Sequence, residues 1–461
     1  MTAGYADTSF WLESCDDDLT PRDPLDGSRD ADVAILGAGF TGLWTAYYLL
    51  RAQPELRVVL LESEIAGFGA SGRNGGWCTS GFGAGPDQLA ARFGVDAARA
   101  VHDAMIDTVD EVGRVCVDEG IDAHYQRDGE LLVAIGDHQV PALDAIERTY
   151  QRIGGDDFHC RLSADETRER IAIDGARGAL FHPATASVHP ARLVRGLAGA
   201  VERRGGVICE STPVTAFAGG PSPYLDTARG RVSAPVVVLA GEAYLSQLPA
   251  LRRAVLPIYS YIVLTEPLPP EQLAAINWTH RMVVNSRALT VDYLSRTADG
   301  RILFGGRGAP YHFGSSIAPE HDRSEPTFAR LRQSLVEWFP SLEGVGFTHA
   351  WGGCLGVPRD FIPIMRFDRA SGVATARGYT GEGVAASNLS GRVLADLISG
   401  ADSSLVALPM TSHHGRNWEV EPFRFLATRL AERGAMRIDE RGARTGASPT
   451  GRTLTERLIS H

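Results

Sequence analysis

The chain has 461 residues, a length that exceeds one compact core and suits two or three domains. Hydrophobic residues make up 44% and charged residues 22%, which is ordinary for a globular protein in water. The formal charge is −11, no basic cluster stands out, and no apolar run reaches the ~20 residues that span a bilayer. We therefore expect neither a nucleic-acid surface nor a membrane span.

The N-terminal sequence, the spacing of the cysteines and the absence of lysine limit the expected location and chemistry of the protein. Residues 1–30 lack the positive start and apolar stretch of a signal peptide, so a cytoplasmic location is expected. The six cysteines have no C-x-x-C spacing, which predicts neither a metal site nor a disulfide framework. There is no lysine, so all 45 basic residues are arginine and Schiff-base chemistry on a lysine is excluded.

The first predicted unit is a strand, a glycine turn and a helix. The apolar run Val33–Leu36 precedes Gly37, Gly39 and Gly42, which form G-x-G-x-x-G, and residues 43–52 are helix-like. In a dinucleotide-binding fold the first glycine permits the tight turn and the second lets a pyrophosphate approach the backbone. The third allows the helix to pack closely on the strand.

A second apolar run, residues 57–61, ends at Glu62, which lies 20 residues after Gly42. An acid at this place accepts hydrogen bonds from ribose hydroxyls. This order of elements predicts a dinucleotide site: a strand, the glycines, a helix, a second strand and an acid. The alternative is an accidental turn. The pattern alone does not separate FAD from NAD.

Residues 67–76 contain five glycines in ten positions, which excludes a regular element and exposes backbone amides to a large ligand. The alternative is a flexible surface loop. The position directly after Glu62 favours a loop that runs under the rest of a cofactor. Trp77 follows, and either walls the site or fills the core.

The rest of the chain alternates strand and helix patterns. We predict a helix at 189–203, a helix at 384–398 and a helix at 418–432, followed by a mobile segment at 442–452. Strands are predicted at 129–135, 206–210, 236–240, 256–264 and 301–306.

Several phrases are similar to the D-amino-acid oxidase and sarcosine oxidase superfamily of flavoproteins, and most of all to the bacterial branch that includes γ-glutamylputrescine oxidase. They occur in the family's order and extend over nearly the whole chain. The phrases are residues 9–11, 40–44, 69–76, 188–193, 351–353 followed by Asp360, 378–384 and 418–422.

The resemblance implies an α/β fold, α+β overall. A Rossmann-like FAD-binding domain would be joined to a discontinuous second domain built on a large mixed or antiparallel sheet, which roofs the flavin and holds the substrate. The predicted FAD-binding segments are 31–95, 160–250 and 350–400, and the substrate domain comprises 96–159 and 251–349. An N-terminal extension at 1–30 and a partly flexible C-terminal extension at 401–461 complete the chain.

The resemblance also implies which residues hold FAD. The backbone near Val214 would contact the adenine, and residues 240–241 would pass the cofactor. The cysteine that carries covalent FAD in sarcosine oxidases falls on Gly353, beside Cys354, so we expect FAD to be bound non-covalently. The predicted cofactor residues are Gly37, Gly39, Phe40, Thr41, Gly42, Glu62, Gly69, Ala70, Ser71, Gly72, Arg73, Asn74, Gly75, Gly76, Val214, Ala240, Gly241, Gly353, Asp360, Gly381, Gly383 and Val384.

The implied reaction is oxidation of the C–N bond of a primary or secondary amine or amino acid. A hydride equivalent passes to flavin N5, the imine is hydrolysed, and oxygen reoxidises the flavin. The alternative is a dehydrogenase that passes electrons to a quinone or protein carrier, which stays open because the chain lacks the lysine that some oxidases place near the flavin. A purely structural FAD is a further alternative. An NADPH-dependent hydroxylase is disfavoured because no second G-x-G-x-x-G is found.

Candidate catalytic residues are Tyr259, Arg307 and Glu382. Glu382 stands where relatives usually carry His, at the start of the helix predicted at 384–398, whose N-terminus would stabilise negative charge on a reduced flavin. A carboxylate facing the site favours a cationic amine, and the alternative is a side chain in solvent. Tyr259 and Tyr261 share one strand face, which fits either a pocket wall or core packing. Arg307 or Arg296 would clamp a substrate carboxylate, or pair at the surface.

Overall fold

A computed structural model describes residues 4–155, 158–278, 280–306 and 310–449. The strands are β1 (Arg29–Asp30), β2 (Val33–Leu36), β3 (Val58–Leu61), β4 (Trp77–Thr79), β5 (Glu130–Ile135), β6 (Cys160–Leu162), β7 (Ala176–His182), β8 (Thr185–Ser187), β9 (Val207–Cys209), β10 (Val214–Ala218), β11 (Tyr224–Thr227), β12 (Gly230–Ser233), β13 (Val236–Leu239), β14 (Leu256–Thr265), β15 (Val283–Ser286), β16 (Asp292–Arg296), β17 (Ile302–Gly306), β18 (Phe347–Val357), β19 (Ile364–Asp368) and β20 (Val373–Arg377). The α-helices are α1 (Phe10–Glu13), α2 (Phe40–Ala52), α3 (Pro86–Phe93), α4 (Val95–Glu119), α5 (Val140–Arg152), α6 (Ala164–Arg170), α7 (Pro190–Arg203), α8 (Pro270–Ala275), α9 (Glu325–Trp338), α10 (Gly383–Ser399) and α11 (Phe423–Thr445).

A six-stranded sheet carries the dinucleotide motif. Its order is β19-β20-β13-β2-β3-β9, and all neighbours are parallel except the edge pair β19–β20. The central strands β2, β3 and β13 are short apolar runs because both of their faces are covered. Helices α2, α4, α7 and α10 share one core with this sheet, with Trp44 fully buried among them. This confirms the predicted Rossmann-like unit.

A second, eight-stranded sheet has the order β18-β14-β17-β16-β15-β5-β7-β6. Its neighbours are antiparallel apart from the parallel pair β15–β5, so the predicted large mixed sheet is confirmed. One face packs on α9 around Phe304 and Trp338, whose rings meet edge to face. A smaller four-stranded sheet, β1-β12-β11-β10, and the pair β4–β8 complete the β-structure described.

The sheets draw on segments that cross the predicted domain boundaries. Strands β6, β7 and most of β18 come from segments assigned to the FAD-binding domain, yet they pair within the eight-stranded sheet, because β7 and β14 offer antiparallel partners. Helix α4 comes from a segment assigned to the substrate domain and packs in the core of the six-stranded sheet. The exact domain division stays a prediction.

The C-terminal helix differs from its predicted bounds. Helix α11 begins at Phe423 rather than 418 and continues to Thr445, where Gly446 in the left-handed conformation ends it. The predicted mobile segment at 442–452 is therefore helical at its start, and its last three residues lie outside the described part. None of the helices described is both long and apolar enough to cross a bilayer.

Candidate active site

One cavity of about 590 Å³ lies between the two large sheets. The N-termini of α2 and α10 both open onto it. Of the predicted cofactor residues, its walls include Gly37, Gly39, Phe40, Thr41, Glu62, Gly69, Ala70, Ser71, Arg73, Asn74, Gly75, Val214, Ala240, Gly241, Gly353, Gly381, Gly383 and Val384. Residues that are far apart in sequence thus meet in a single site.

The glycines of the first turn keep the backbone of α2 open to a ligand. Gly37 has φ +98°, and a Cβ there would lie 2.9 Å from the Ala240 carbonyl oxygen. Gly39 is the N-cap of α2 and has no side chain to block it, and a Cβ there would lie 3.0 Å from Ser71 Oγ. Gly42 does not line the cavity; a Cβ there would collide with the Gly37 carbonyl oxygen, so it serves close helix packing.

Glu62 occupies the predicted position at the end of β3. Its Oε2 accepts from the Ala38 N–H at 2.8 Å and its Oε1 from the Glu64 N–H at 3.1 Å. Burial raises the pKa of this carboxyl group, and the two amide donors oppose that effect. Oε1 also accepts from Ser63 Oγ at 3.3 Å, so Oε2, with one donor for its two lone pairs, is the oxygen that retains capacity for a ribose hydroxyl.

The glycine-rich loop at 67–76 is fixed by partners from distant segments. Ser9 Oγ donates to the Gly72 carbonyl and Trp11 Nε1 to the Asn74 carbonyl, each at 2.8 Å. Trp351 Nε1 donates to the Arg73 carbonyl at 2.8 Å. These bonds favour a fixed cofactor loop over the flexible alternative, and they give the N-terminal extension a structural role.

Besides Gly42, three predicted cofactor residues lie outside the cavity walls, namely Gly72, Gly76 and Asp360. A Cβ on Gly72 would collide with the Gly67 carbonyl oxygen, and one on Gly76, at φ +73°, would lie 2.6 Å from the Val188 carbonyl oxygen. Asp360 instead pairs with His413, whose Nε2 lies 2.9 Å from Oδ2.

Arg73 reaches the cavity wall but its guanidinium is engaged. Nε donates to the Phe68 carbonyl at 2.8 Å, and Nη1 donates to Asp322 at 2.7 Å. The guanidinium also lies over the Phe68 ring, 4.3 Å from its centroid. Arg73 therefore ties the glycine-rich loop to the segment before α9.

The candidate tyrosines lie in the core rather than on the cavity wall. Tyr259 is fully buried, its hydroxyl accepts from the Ala318 N–H at 3.4 Å, and its ring stacks with Tyr261. Tyr261 donates to the His321 carbonyl at 2.8 Å. Since neighbouring residues of a strand face opposite sides, Ser260 and not the tyrosines lines the cavity.

The arginine candidates supply no clamp in the part of the chain that is described. Arg296 donates to the Trp278 carbonyl and does not line the cavity. Arg307 lies outside the described residues.

Glu382 does line the cavity, as the N-cap of α10. It stands beside Gly81, where a Cβ would lie 3.3 Å from Oε2. The side chain is therefore at the site and not directed away from it.

The sequence did not single out two polar residues of the same wall, Asn285 and Tyr293, nor Glu130, which is hydrogen-bonded to Asn285 but does not line the cavity. Tyr293 Oη lies 2.9 Å from Ser260 Oγ, and its ring meets Trp77 edge to face. Asn285 lines the cavity, and its Nδ2 donates to Glu130 Oε1 at 3.2 Å. The one feature of the sequence that could have indicated Glu130 is its position as an acidic residue at the start of an otherwise apolar strand.

Glu130 is 9% exposed. Its Oε2 accepts from Thr79 Oγ1 at 3.1 Å and from Thr185 Oγ1 at 3.2 Å. Burial raises the pKa of its carboxyl group to about 7, with further repulsion from the Glu382 carboxylate. The two carboxyl groups are thus electrostatic neighbours at one end of the cavity.

The family model described as FAD dependent oxidoreductase matches residues 32–397, which include both helix N-termini and the cavity between them. The chain belongs to this family. The curated γ-glutamylputrescine oxidoreductase of Escherichia coli is 31% identical over 88% of this chain and 92% of its own. The sarcosine oxidase β subunit of Rhodobacter capsulatus is 25% identical over 82% of this chain and 86% of its own. The crystal structure of glycine oxidase from Geobacillus kaustophilus superposes with a TM-score of 0.69 at 21% identity, covering 84% of this chain and all of the other.

The residues that line this cavity fit FAD, which this FAD-dependent oxidoreductase would hold there. The open N-terminus of α2, with Gly37 and Gly39 at its turn, suits the pyrophosphate. Glu62 suits the ribose. The N-terminus of α10, capped by no side chain, suits an anionic ring at the opposite end. Among the described residues no group of three or more His, Cys, Asp or Glu is arranged to hold a metal ion.

Proposed function

We propose that this FAD-dependent oxidoreductase is an amine oxidase that oxidises the C–N bond of its substrate to an imine, which water hydrolyses, and uses oxygen as electron acceptor. Three relatives that match most of its length are named for γ-glutamylputrescine, sarcosine and glycine, which are all amines or amino acids. The observation that carries the proposal is that Glu382, Asn285 and Trp77 share one cavity with the cofactor-binding turn.

The bound FAD would supply the electron sink for oxidation of the carbon next to nitrogen. The residues of this chain position the substrate and exclude water. Trp77, Ile262 and Tyr293 give the substrate end of the cavity an apolar wall, and the Ser260–Tyr293 hydrogen bond orders it. A water-poor pocket of this kind strengthens each polar contact made within it.

The reacting amine must lose its proton before the C–H bond breaks, because a protonated nitrogen has no lone pair to support the change. Glu382 lines the cavity and would take that proton from the bound cationic amine. The uncapped amides of α10 begin at the next residue and would stabilise negative charge that develops close by.

The experiment that tests the function is anaerobic addition of amines and amino acids to the purified protein, followed by air. Loss of the visible flavin bands on addition, and their return with hydrogen peroxide on aeration, would support an amine oxidase. Loss of the bands with slow return in air but fast return with a quinone or dye would instead assign a dehydrogenase.

A further inference from the structure

A second cavity, of about 230 Å³, adjoins the first, and Glu382 lines both. Its walls come from the glycine-rich segment 80–86, from α4 through Ala98, Val101 and His102, and from Tyr150. None of the predicted FAD-binding residues lines this second cavity. It therefore extends the substrate end of the site.

The two carboxyl groups at the junction are connected through a short chain of contacts. Thr79 Oγ1 donates to Glu130 Oε2 at 3.1 Å and accepts from the Gly81 N–H at 3.2 Å. Gly81 in turn lies against the Glu382 carboxylate. Asn285, on the wall of the first cavity, holds the other oxygen of Glu130.

A second observation independent of the carboxyl groups indicates a ligand in the adjoining cavity. His102 is 5% exposed and lines this cavity, yet its Nε2 has no hydrogen-bond partner. Burial lowers the pKa of the imidazole to about 4, so the ring is neutral at pH 7. Neutral imidazole offers one acceptor nitrogen, and a buried polar atom without a partner is costly unless a ligand or water supplies one.

The charges on the two sets of walls favour a cation at the junction. Among the described wall residues the one arginine is Arg73, which is paired with Asp322. Arg287 lies near Glu130 but lines neither cavity. The described walls therefore bring a carboxylate, but no arginine other than the paired Arg73, to the junction.

We propose that Glu382, supported by Glu130, forms a subsite for the cationic nitrogen of the substrate, whose chain extends into the second cavity toward His102. The subsite rests on the proposed function, because it defines which amines that function accepts. It selects amines without a carboxylate on the reacting carbon, since such a carboxylate would lie against Glu382.

Binding of cations that are not oxidised tests the subsite independently of turnover. The probes are n-butylguanidinium, which stays charged at any working pH, and n-butylurea, its uncharged counterpart of the same shape. Dissociation constants are measured on the FAD-loaded protein from the change in flavin absorbance. The guanidinium should bind at least about tenfold more tightly, as expected for hydrogen bonds to a charged group.

Two substitutions and a control separate the contributions of Glu382 and Glu130 to guanidinium binding. E382Q should remove the preference for guanidinium, E130Q should reduce it, and E343Q, at an exposed carboxylate, should leave it unchanged. Melting temperature and FAD content are recorded for each, and E382Q alone decides the question if E130Q does not fold. Equal binding of guanidinium and urea by the wild type, or an unchanged preference in E382Q, would overturn the subsite.

Chain length tests the second cavity. From ethyl- to hexylguanidinium the affinity should rise about fourfold for each buried methylene. Val101→Phe, on the wall of the second cavity, should flatten this rise and leave ethylguanidinium unaffected. If the longer probes bind V101F as tightly as the wild type, the chain does not enter that cavity. Oxidation of some amine without a guanidinium preference would refute the subsite and leave the proposed function standing, whereas a guanidinium preference without oxidation of any amine would do the reverse.

Discussion

At the scale of single residues, Glu130 has a carboxyl pKa that differs enough between the folded and unfolded states to be measured as a change in stability with pH. Its carboxyl pKa is raised to about 7 by burial, with the Glu382 carboxylate adding to the effect. Between about pH 4.5 and 7 the folded state thus binds a proton that the unfolded state releases. Stability from this group is present below that range and is lost as the pH rises through 7.

Glu130→Gln should therefore gain stability relative to the wild type as the pH rises from 5 to 8. The gain is on the order of 3 kcal/mol, from a pKa difference of roughly two and a half units. Denaturant unfolding of the FAD-saturated proteins at both pH values measures it, with E343Q as the control. An identical difference between variant and wild type at pH 5 and pH 8 would contradict the assignment.

The site residues that were predictable from the sequence depend on local contacts, whereas those that were not depend on contacts between segments far apart in the chain. Gly37, Gly39 and Glu62 belong to one local strand–turn–helix–strand unit, and each lies at the cavity as predicted. For Tyr259 the sequence left a pocket wall and core packing open, because it shows alternation without showing which face meets the cavity, and the side chain lies in the core. Asn285 and Tyr293 pair with each other across the consecutive strands β15 and β16, but their place at the site also depends on the pairing of β15 with the distant β5, which no local pattern encodes.

At the scale of elements, the first turn of α2 makes a direct prediction. Gly39→Ala adds a Cβ in contact with Ser71 Oγ at a residue whose φ of −81° an alanine adopts readily. The variant should fold, but the methyl group occupies space that a pyrophosphate needs. We expect FAD affinity to fall at least about tenfold in a fluorescence titration. Gly199→Ala within α7 is the control and should bind FAD normally; equal affinity in both variants would count against this site.

Helix α11 is the element whose contribution the sequence did not show. Asp439 accepts from the Leu289 N–H at 3.0 Å and the Thr290 N–H at 2.8 Å. The next residue, Val291, lines the cavity at φ +55°. The C-terminal helix thus holds the turn that enters the substrate end.

Asp439→Ala should loosen that turn by about 1–3 kcal/mol, the cost of leaving its amides without their charged acceptor. We expect KM for the amine to rise several-fold while FAD content stays unchanged. Steady-state kinetics on D439A and on E440A, an exposed neighbour on the same helix, measures the effect. Wild-type KM in D439A, or an equal rise in E440A, would show that α11 does not support the turn.

At the scale of the whole molecule, the six-stranded sheet was predictable from local patterns, whereas the eight-stranded sheet and the family were predicted from the resemblance. The parallel sheet follows from apolar runs and a glycine turn, whereas the domain boundaries depend on which distant strands pair. Cys354 lines the cavity beside Gly353, and burial raises the pKa of its thiol to about 12. A thiol that stays protonated is a poor nucleophile, so FAD should leave the protein on acid precipitation. Flavin that remains in the pellet would contradict this.

Anaerobic reduction by the substrate panel is the decisive experiment for the proposal that one cavity brings FAD and an amine together. The purified protein should carry oxidised FAD, a cationic amine without a carboxylate on the reacting carbon should bleach its visible bands without NADPH, and air should restore them. A protein that neither carries nor takes up FAD, or whose bound flavin no amine or amino acid reduces, would contradict it.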